Sequence, residues 1–420
     1  MTRAKARILL SLFLLSISTS ALADERTRQK PEDWDARLEM LRAVPYIDFS
    51  EVVVDEGDTG VVFYDPEKAY DGYNFYCTGS AGGALLLDMY GRVVHRWAFL
   101  PKNSIFAGHA IVLENGDLVV IKKFEEMFRL NWGSKLIWKK KLDVHHDVTS
   151  APDGSFYVIV LEFKDYRGLR GVMFDALVHM TEDGEEIDRW STYDHLDELK
   201  SVLDTRSFLD TVLDSLLSGP GEKDVALYEG NGTTPRRHFL DYFHMNTINL
   251  LPGTFLAEKD SRFQRGNLLV CFRNVNQIAV LEKDTYRVLW AWGEGELQLP
   301  HHPTMLESGH ILIFDNGGER KYSRVVELDP VAEAIVWEYT AEPPEDFYSR
   351  SRGSAQRLPN GNTLICESNK GRAFEVTEEG EVVWVWLNPA LRGKRRETVY
   401  RMMRLPSAQV DEILRRWWWE

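Results

Sequence analysis

The stretch RLPNGNTLICESNKGRAFEVTEEGEVVWVW, residues 357–386, decides the fold. Two apolar runs flank an Asn-Gly turn, a third run follows a short gap, and a second turn leads into a fourth run that ends on tryptophan. Asn-Gly and similar pairs between alternating apolar runs are strong signals of β-hairpins. The stretch therefore predicts four consecutive antiparallel strands.

The same unit recurs along the chain. Further full copies begin at Val112, Ser150, Asn249 and Met305, and a partial copy occupies residues 82–97. Five full copies and one partial copy, about 40–50 residues apart, are typical of a β-propeller with four-stranded blades. The sequence therefore predicts an all-β fold, a six-bladed β-propeller over residues 71–389. The tryptophan that ends many copies is expected to pack between blades.

Three segments fall outside the repeat. Residues 24–70 form an N-terminal extension with a short helical pattern. Residues 194–219 carry leucines at nearly helical spacing and predict a helical insertion that caps one face of the propeller. Residues 390–420 predict a C-terminal helical tail, whose tryptophans at 417–419 are expected to pack against the propeller.

The first 23 residues have the pattern of a signal peptide. Arg3, Lys5 and Arg7 precede an apolar run, and small residues follow at 21–23. This pattern predicts cleavage after Ala23 and a periplasmic or secreted protein. An uncleaved anchor is the alternative, but the run is shorter than the ~18 apolar residues of a typical span. We therefore expect no stable membrane insertion after cleavage.

Composition excludes several functions. The net charge of −15 argues against a nucleic-acid partner, because phosphate binding needs a basic surface. The three cysteines are too few and too scattered for a disulfide framework or a zinc site, and Cys271 and Cys366 lie in apolar runs typical of buried thiols. The chain has neither of the common glycine-rich nucleotide-binding motifs, so no nucleotide cofactor is expected.

Histidines are concentrated where the first strands begin. Six of the eleven lie there, at positions 109, 145, 146, 244, 301 and 302. First strands of a propeller line the central channel, so the residues that precede them converge at one mouth. Counted back from the turn, His146, Asn246 and His301 are equivalent in three copies. His244 lies on the same side of its strand as Asn246, whereas His109 points less certainly inward.

Arg273 adds a positive charge to this predicted cluster. It follows an apolar run in LLVCFRNVNQI, where the second strand of the His244 copy should end. A buried guanidinium costs free energy unless it is paired. Arg273 therefore forms either a buried ion pair with a carboxylate or a site for an anionic substrate, and the sequence leaves both open.

Several imidazoles, a guanidinium and an amide around a dry channel suit the transfer of a tetrahedral oxyanion group. A neutral imidazole is a nucleophile near pH 7 and can form a covalent intermediate, while cations neutralise charge on the transferred group. Group transfer without a metal is the preferred interpretation. The alternatives are a metal-dependent hydrolase or lyase, because histidines on a rigid mouth can also hold a metal, and a non-catalytic exported binding propeller.

The motifs HHDVTSAPDGSFYVI, YFHMNTINLL, LLVCFRNVNQI and HHPTML…GHILIFDNG together resemble the arylsulfotransferase (ASST) family over roughly residues 72–389. The resemblance implies a six-bladed propeller in the bacterial periplasm. It also implies an enzyme that moves a sulfuryl group from a phenolic sulfate ester to another phenol, with small-molecule substrates and without the nucleotide donor PAPS or another cofactor.

The resemblance implies a role for two pairs of adjacent histidines. His301 matches the histidine that becomes transiently sulfated, and His302 is the alternative if the register slips by one. His146 matches the histidine of the earlier blade, with His145 as its alternative. His145, His302 and His109 are therefore carried as substrate-binding candidates.

His244, Asn246 and Arg273 match the sulfate-binding residues of the family, and His146 or His244 would be the general acid/base at the phenolic oxygen. The sequence departs from the family at Pro300, where many relatives carry Gln. It also has no N-terminal β-sandwich domain before the first blade. The acceptor and the oligomeric state therefore do not follow from the resemblance.

Overall fold

A computed structural model describes residues 49–53, 58–104, 106, 108–203 and 240–417. Within these ranges the chain is nearly all β, and six sheets of four or five antiparallel strands form six blades. The predicted six-bladed β-propeller is confirmed. The predicted signal peptide, the helical pattern before residue 49, most of the 194–219 insertion and the last two of the three tryptophans lie outside the described residues.

The strands of blades 1 to 3 follow one another from the channel outward. Blade 1 contains β28 (Met402–Pro406), β3 (Gly72–Thr78), β4 (Gly83–Leu87) and β5 (Val93–Ala98). Blade 2 contains β6 (Gly108–Val112), β7 (Leu118–Lys122), β8 (Glu126–Leu130) and β9 (Leu136–Lys141). Blade 3 contains β10 (Val144–Ser150), β11 (Phe156–Tyr166), β12 (Leu169–Met180) and β13 (Glu186–Ser191).

Blades 4 to 6 follow the same order. Blade 4 contains β14 (Met245–Leu250), β15 (Leu268–Phe272), β16 (Gln277–Leu281) and β17 (Val288–Trp292). Blade 5 contains β18 (His301–Met305), β19 (Ile311–Asp315), β20 (Arg324–Asp329) and β21 (Ala334–Tyr339). Blade 6 contains β22 (Ser354–Arg357), β23 (Thr363–Glu367), β24 (Arg372–Val376), β25 (Val382–Leu387) and β2 (Gly60–Tyr64).

Segments from both sides of the repeat close the ring. β28 pairs with β3 as the innermost strand of blade 1, and β2 pairs with β25 as the outermost strand of blade 6. The propeller therefore extends beyond the predicted range 71–389 in both directions. The sequence prediction missed these strands because each is separated from its blade by hundreds of residues. This also explains the partial copy at 82–97, which lacks an inner strand of its own.

Buried side chains form one apolar cluster between each pair of neighbouring blades. In β7, Leu118 and Val120 pack towards blade 1, while Val119 and Ile121 pack towards blade 3. Alternate residues of a strand point to opposite faces, so an inner strand with neighbours on both sides is an uninterrupted apolar run. The complete circle of six clusters holds the blades around the channel.

Tryptophans on the fourth strand of the repeat unit connect neighbouring blades. In three places the indole Nε1 donates to a backbone carbonyl in the outer turn of the next blade: Trp138 to Glu182 at 2.8 Å, Trp337 to Glu378 at 2.7 Å, and Trp384 to Met89 at 3.0 Å. Trp97, Trp190 and Trp290 are buried between blades. The predicted packing role of the tryptophans is confirmed.

The remaining described elements are peripheral. A small sheet joins β1 (Phe49–Val53), β27 (Arg395–Glu397) and β26 (Leu391–Arg392). Three helices are described: α1 (Leu196–Val202), α2 (Phe255–Lys259) and α3 (Ser407–Trp417). In the predicted insertion, α1 packs between blades 3 and 4, and α3 is the predicted C-terminal helix. The described part of 24–70 contains two strands, β1 and β2. None of the described helices has the length and apolar character needed to cross a membrane.

Candidate active site

Three histidines from neighbouring blades meet at one mouth of the channel. His146 and His301 lie at the starts of β10 and β18, and His244 directly precedes β14. All three are buried, and the ring centroids of His146 and His244 are 4.5 Å apart. Burial lowers the pKa of His301 well below its ordinary value, and the positive charge of Arg273 and the neighbouring His244 lower it further. The structure therefore brings these four residues together.

The inner strands of blades 3, 4 and 5 are irregular where they carry the histidines. Their pairing register shifts between Val144 and Val148, between Met245 and Thr247, and between His301 and Thr304. His146, His244 and His302 have φ angles of 57°, 53° and 51°. This left-handed region costs free energy for residues other than glycine and is concentrated at functional sites. Bulges of this kind re-aim side chains, which in these blades carry imidazoles.

The tautomer of His301 is set by Asn316. The Asn316 Nδ2 atom donates to the carbonyl oxygens of Ser349 and Arg352, both at 2.7 Å. Its Oδ1 atom must therefore accept, and it lies 2.7 Å from Nδ1 of His301. The proton of the neutral imidazole consequently lies on Nδ1. The Nε2 atom carries the lone pair and makes no hydrogen bond with any described residue, so it can act as a nucleophile.

The peptide that precedes His301 is also held in place. The carbonyl oxygen of Pro300 accepts from Nδ2 of Asn246 at 2.8 Å and from Sγ of Cys271 at 3.1 Å. The Oδ1 atom of Asn246 accepts from the hydroxyl of Thr247 at 2.9 Å. The amide of Asn246 therefore fixes the backbone at the nucleophile candidate. Cys77, Cys271 and Cys366 are all buried free thiols.

His302 points away from this cluster. Its Nδ1 atom donates to the carbonyl oxygen of Ala355 in blade 6 at 3.0 Å, and its backbone N–H donates to Thr247. Burial and the charge of Arg401 lower the pKa of His302, whereas Arg273 is the cation that acts on His301. The two adjacent histidines therefore belong to different groups of side chains.

His244 and Asp241 form a closely hydrogen-bonded pair. Nδ1 of His244 lies 2.5 Å from Oδ2 of Asp241, and the backbone N–H of His244 donates to Oδ1 at 3.1 Å. Burial opposes ionisation of Asp241, but the interactions with His244 outweigh it and lower the carboxyl pKa. Burial lowers the pKa of His244 although Asp241 favours its charged form. At neutral pH a neutral imidazole therefore donates Nδ1–H to a carboxylate and keeps a lone pair on Nε2.

His145 lies behind His146. The two Nδ1 atoms are 2.5 Å apart, and Nε2 of His145 lies 3.1 Å from Oδ1 of Asp175. Burial lowers the pKa of His145 to about 3. Burial and the charge of Asp241 raise the pKa of Asp175 well above its ordinary value. His145 thus occupies a supporting position, because it is almost completely buried.

His109 belongs to an ion-pair network in the channel. Arg401 donates to both carboxylate oxygens of Asp147, from Nη1 at 3.1 Å and from Nη2 at 3.2 Å. The Nε2 atom of His109 lies 3.2 Å from Nη1 of Arg401. This contact occupies one of the two ring nitrogens of His109, and its substrate-binding role stays a prediction.

A family model described as Arylsulfotransferase (ASST) matches residues 109–388. The chain belongs to the arylsulfotransferase family. It is accordingly a sulfotransferase-type enzyme, and the match includes all eight site candidates predicted from the sequence. None of the curated proteins matches the chain significantly.

Several solved structures are similar to this arylsulfotransferase family member at low identity. A protein of unknown function from Bacteroides caccae shares 13% identity, covers 79% of this chain and 98% of its own, and has a TM-score of 0.49. A streptogramin B lyase shares 12% sequence identity, covers 82% of this chain and 87% of its own, and has a TM-score of 0.44. A virginiamycin B lyase from Staphylococcus aureus shares 10% sequence identity, covers 82% of this chain and 89% of its own, and has a TM-score of 0.41. These values are too low to support a functional argument.

Arg273 lies beside the imidazoles of the sulfotransferase. It is buried at the start of a short 3₁₀ turn, Arg273–Val275, directly after β15. Its Nη1 atom donates to Oδ1 of Asn274 at 2.8 Å. Its positive charge adds to the lowering of the His244 pKa by burial, which Asp241 opposes. Within the described residues, no group of three or more His, Cys, Asp or Glu side chains has an arrangement that could hold a metal ion.

Three residues at the mouth were missed by the sequence prediction. Arg401 was assigned to a helical tail, although it directly precedes the inner strand of blade 1. Lys123 and Asn316 are the first residues after the second strands of blades 2 and 5, as Arg273 is in blade 4. The same repeat arithmetic that located the histidines would have found Lys123 and Asn316 if it had been applied to the second strands.

Proposed function

We propose that this protein moves a sulfuryl group from an aryl sulfate ester to a phenolic acceptor through a sulfohistidine at His301, without PAPS. The contact between Nδ1 of His301 and Oδ1 of Asn316 carries this proposal, because it leaves the lone pair on Nε2. The buried guanidinium of Arg273 on the neighbouring blade provides positive charge for the sulfate anion.

In the first half-reaction, Nε2 of His301 attacks the sulfur atom. The N–S bond forms, the bond between sulfur and the phenolic oxygen breaks, and its electron pair moves to that oxygen. Arg273 stabilises the charge on the three other sulfuryl oxygens, an effect that is strong where water is excluded. The phenolic oxygen leaves as a phenol when it takes the Nε2 proton of the imidazolium form of His244, which returns to the neutral form with its remaining proton on Nδ1.

In the second half-reaction, the acceptor phenol follows the same path in reverse. Its oxygen attacks the sulfur of the sulfohistidine while Nε2 of His244 takes the phenolic proton, and the electron pair of the N–S bond returns to His301. His244 is favoured over His146 as the acid/base because the Asp241 carboxylate holds its tautomer and stabilises the imidazolium. Asn246 is proposed to position the His301 backbone instead of binding sulfate directly.

The signal-like pattern of residues 1–23 supports a periplasmic or secreted location for this reaction. N-terminal sequencing of the protein purified from the periplasm or medium tests it. A mature chain that starts at Asp24 is expected. Protein that retains residues 1–23 in the membrane fraction would instead favour the uncleaved anchor.

Mass spectrometry of the protein after brief exposure to excess aryl sulfate tests the covalent intermediate. One sulfuryl adduct is expected, on the peptide that contains His301, and it should disappear when a phenol is added. His301→Ala should abolish the adduct, whereas His302→Ala should retain it. His310→Ala is the matched control, because His310 lies in the same blade and pairs with Glu327 away from the mouth.

The same experiment separates the alternative functions. Binding of an aryl sulfate without any adduct or turnover would favour a non-catalytic binding propeller. Turnover that depends on a stoichiometric metal in the purified protein, and that a chelator removes, would favour a metal-dependent hydrolase or lyase. An adduct on His302 would leave the reaction class unchanged and move the nucleophile by one residue.

A further inference from the structure

Lys123 holds the same place in blade 2 that Arg273 holds in blade 4. Each directly follows the second strand of its blade, β7 or β15, and Asn316 directly follows β19 in blade 5. Equivalent positions in different blades lie at the same height around the channel. Arg273 and Asn316 both act on His301, so the repeat places Lys123 at the same mouth.

A backbone contact ties this lysine to the histidines of blade 3. The N–H of Phe124 donates to the carbonyl oxygen of Val144 at 2.8 Å, one residue before His145. Lys123 is half-buried as a whole residue. After burial, its positive charge is the strongest influence that lowers the pKa of both His145 and His146.

Lys123 and His301 lie on opposite sides of the channel axis. The apolar clusters place the six blades in chain order around the ring, so blade 2 is three blades away from blade 5 in either direction. In-line displacement at sulfur sends the leaving oxygen to the side opposite the attacking nitrogen. A nucleophile in blade 5 therefore directs the phenolic oxygen towards blade 2, while Arg273 in blade 4 flanks the sulfuryl group.

At neutral pH the negative charge that develops on the leaving phenolic oxygen must be stabilised by a group other than imidazole. Burial lowers the pKa of His146 and His244, so only a small fraction of either ring carries a second proton. Burial also lowers the pKa of Lys123, and Arg352 and Arg273 add to this effect, but Asp241 and Asp175 oppose it. A bound sulfate ester adds a further negative charge and favours the ammonium form.

We propose that Nζ of Lys123 donates a hydrogen bond to the phenolic oxygen of the sulfate ester and stabilises the negative charge that develops there as the sulfur–oxygen bond breaks. The proposal rests on the sulfohistidine function proposed above. The electron pair of the broken bond moves to the phenolic oxygen, the N–S bond forms at His301, and Lys123 keeps its own proton. The same contact stabilises the oxygen of the acceptor phenol as it attacks in the second half-reaction.

A series of aryl sulfates whose phenols differ in acidity tests this role. The burst of phenol released before the acceptor is added measures the first half-reaction in the wild type, Lys123→Met and Lys123→Arg. Lys122→Met is the matched control, because Lys122 is the adjacent lysine and pairs with Glu125 at the surface. Thermal unfolding of each variant checks the fold.

A loss that grows with the basicity of the leaving phenol is expected for Lys123→Met. The burst rate should fall by ~100-fold or more for weakly acidic phenols, and by less than about fivefold for nitrophenyl sulfates, which need little charge stabilisation. Lys123→Arg should recover part of the loss, and Lys122→Met should match the wild type.

Two outcomes would overturn the proposal. An equal loss for all donors would mean that Lys123 acts on the sulfuryl oxygens or on the fold, and no loss would mean that it does not touch the reaction. In both cases the proposed sulfohistidine function still holds if nitrophenyl sulfate still sulfates His301. Failure of the wild type itself to become sulfated at His301 would instead overturn the proposed function.

Discussion

The inner strands of blades 3, 4 and 5 differ from those of blades 1, 2 and 6 in register, backbone and charge. β6, β22 and β28 pair with their neighbours without a break in register, whereas β10, β14 and β18 each contain a shift. The guanidinium of Arg401, next to β28 in the regular half, is paired with Asp147 in the irregular β10, so this ion pair joins the two halves. In the irregular half, the charge of Arg273 acts on the buried imidazoles of His244 and His301, and His244 has a left-handed backbone angle.

This difference shows how one fold separates stability from reactivity. A regular inner strand satisfies its own backbone, and a paired buried charge stabilises the ring. A bulge releases one residue from the ladder and directs its side chain into the channel. The free-energy cost of the left-handed residues is offset by the apolar clusters between the blades.

The largest expected effect comes from breaking the ion pair that joins the two halves. Arg401→Met leaves the buried Asp147 carboxylate without its cation and should lower the free energy of unfolding by ~3–5 kcal/mol. Urea unfolding measures this loss. Arg92→Met, which removes an exposed ion pair with Asp88, is the control and should cost less than ~1 kcal/mol. Folded Arg401→Met protein should still be sulfated, and loss of sulfation would mean that this ion pair also supports the reactive half.

A charge next to the nucleophile should change its pH dependence. In Asn316→Asp a carboxylate faces Nδ1 of His301, favours the imidazolium and raises the histidine pKa. The nucleophile must be neutral, so sulfation should fall about tenfold or more at pH 6 and recover as the pH rises through the raised pKa. The burst rate between pH 5 and 9 measures this. A uniform loss at every pH would mean that Asn316 only supports the carbonyls of Ser349 and Arg352.

Asp241 should set how far the pH must fall before the transfer of the sulfuryl group to the acceptor slows. This step needs neutral His244, whose folded pKa lies below its ordinary value, so the rate should be level at neutral pH and fall as the pH drops through that lowered value. Asp241→Asn removes the charge that favours imidazolium, so the fall should move to still lower pH and the plateau should drop about tenfold. Desulfation kinetics of the isolated sulfoenzyme test both changes, and an unmoved profile would assign the proton transfer to another group.

The smallest effect is expected at the outer rim, where neither half of the channel is touched. Trp337→Phe removes the hydrogen bond to the carbonyl of Glu378 in the next blade and should cost ~0.5–1.5 kcal/mol. Urea unfolding measures the cost, and the sulfation rate should remain at the wild-type level. A change in that rate would connect the outer strands to the site.

The sequence predicted those features that repeat locally. Asn-Gly and related turns at regular spacing located the blades, and the same spacing located His146, Asn246 and His301 at equivalent strand starts, with His244 two residues before Asn246. Arg401 was missed because β28 reaches blade 1 from the other end of the chain, where no turn pattern marks it. His302 and His109 were grouped with the other histidines because a position at the start of a strand shows how far along the channel axis a residue lies. It does not show which neighbouring blade the side chain contacts.

By itself the sequence determined the propeller, since hairpin turns and alternating apolar residues act over a few neighbouring positions. It also determined which residue types stand at the mouth. Only the tertiary structure decided which nitrogen of His301 keeps a lone pair, which imidazole has a carboxylate behind it, and which cation lies across the axis. Those properties depend on atoms brought together from blades far apart in the chain, and the pairing of distant segments leaves no periodic signal in the sequence.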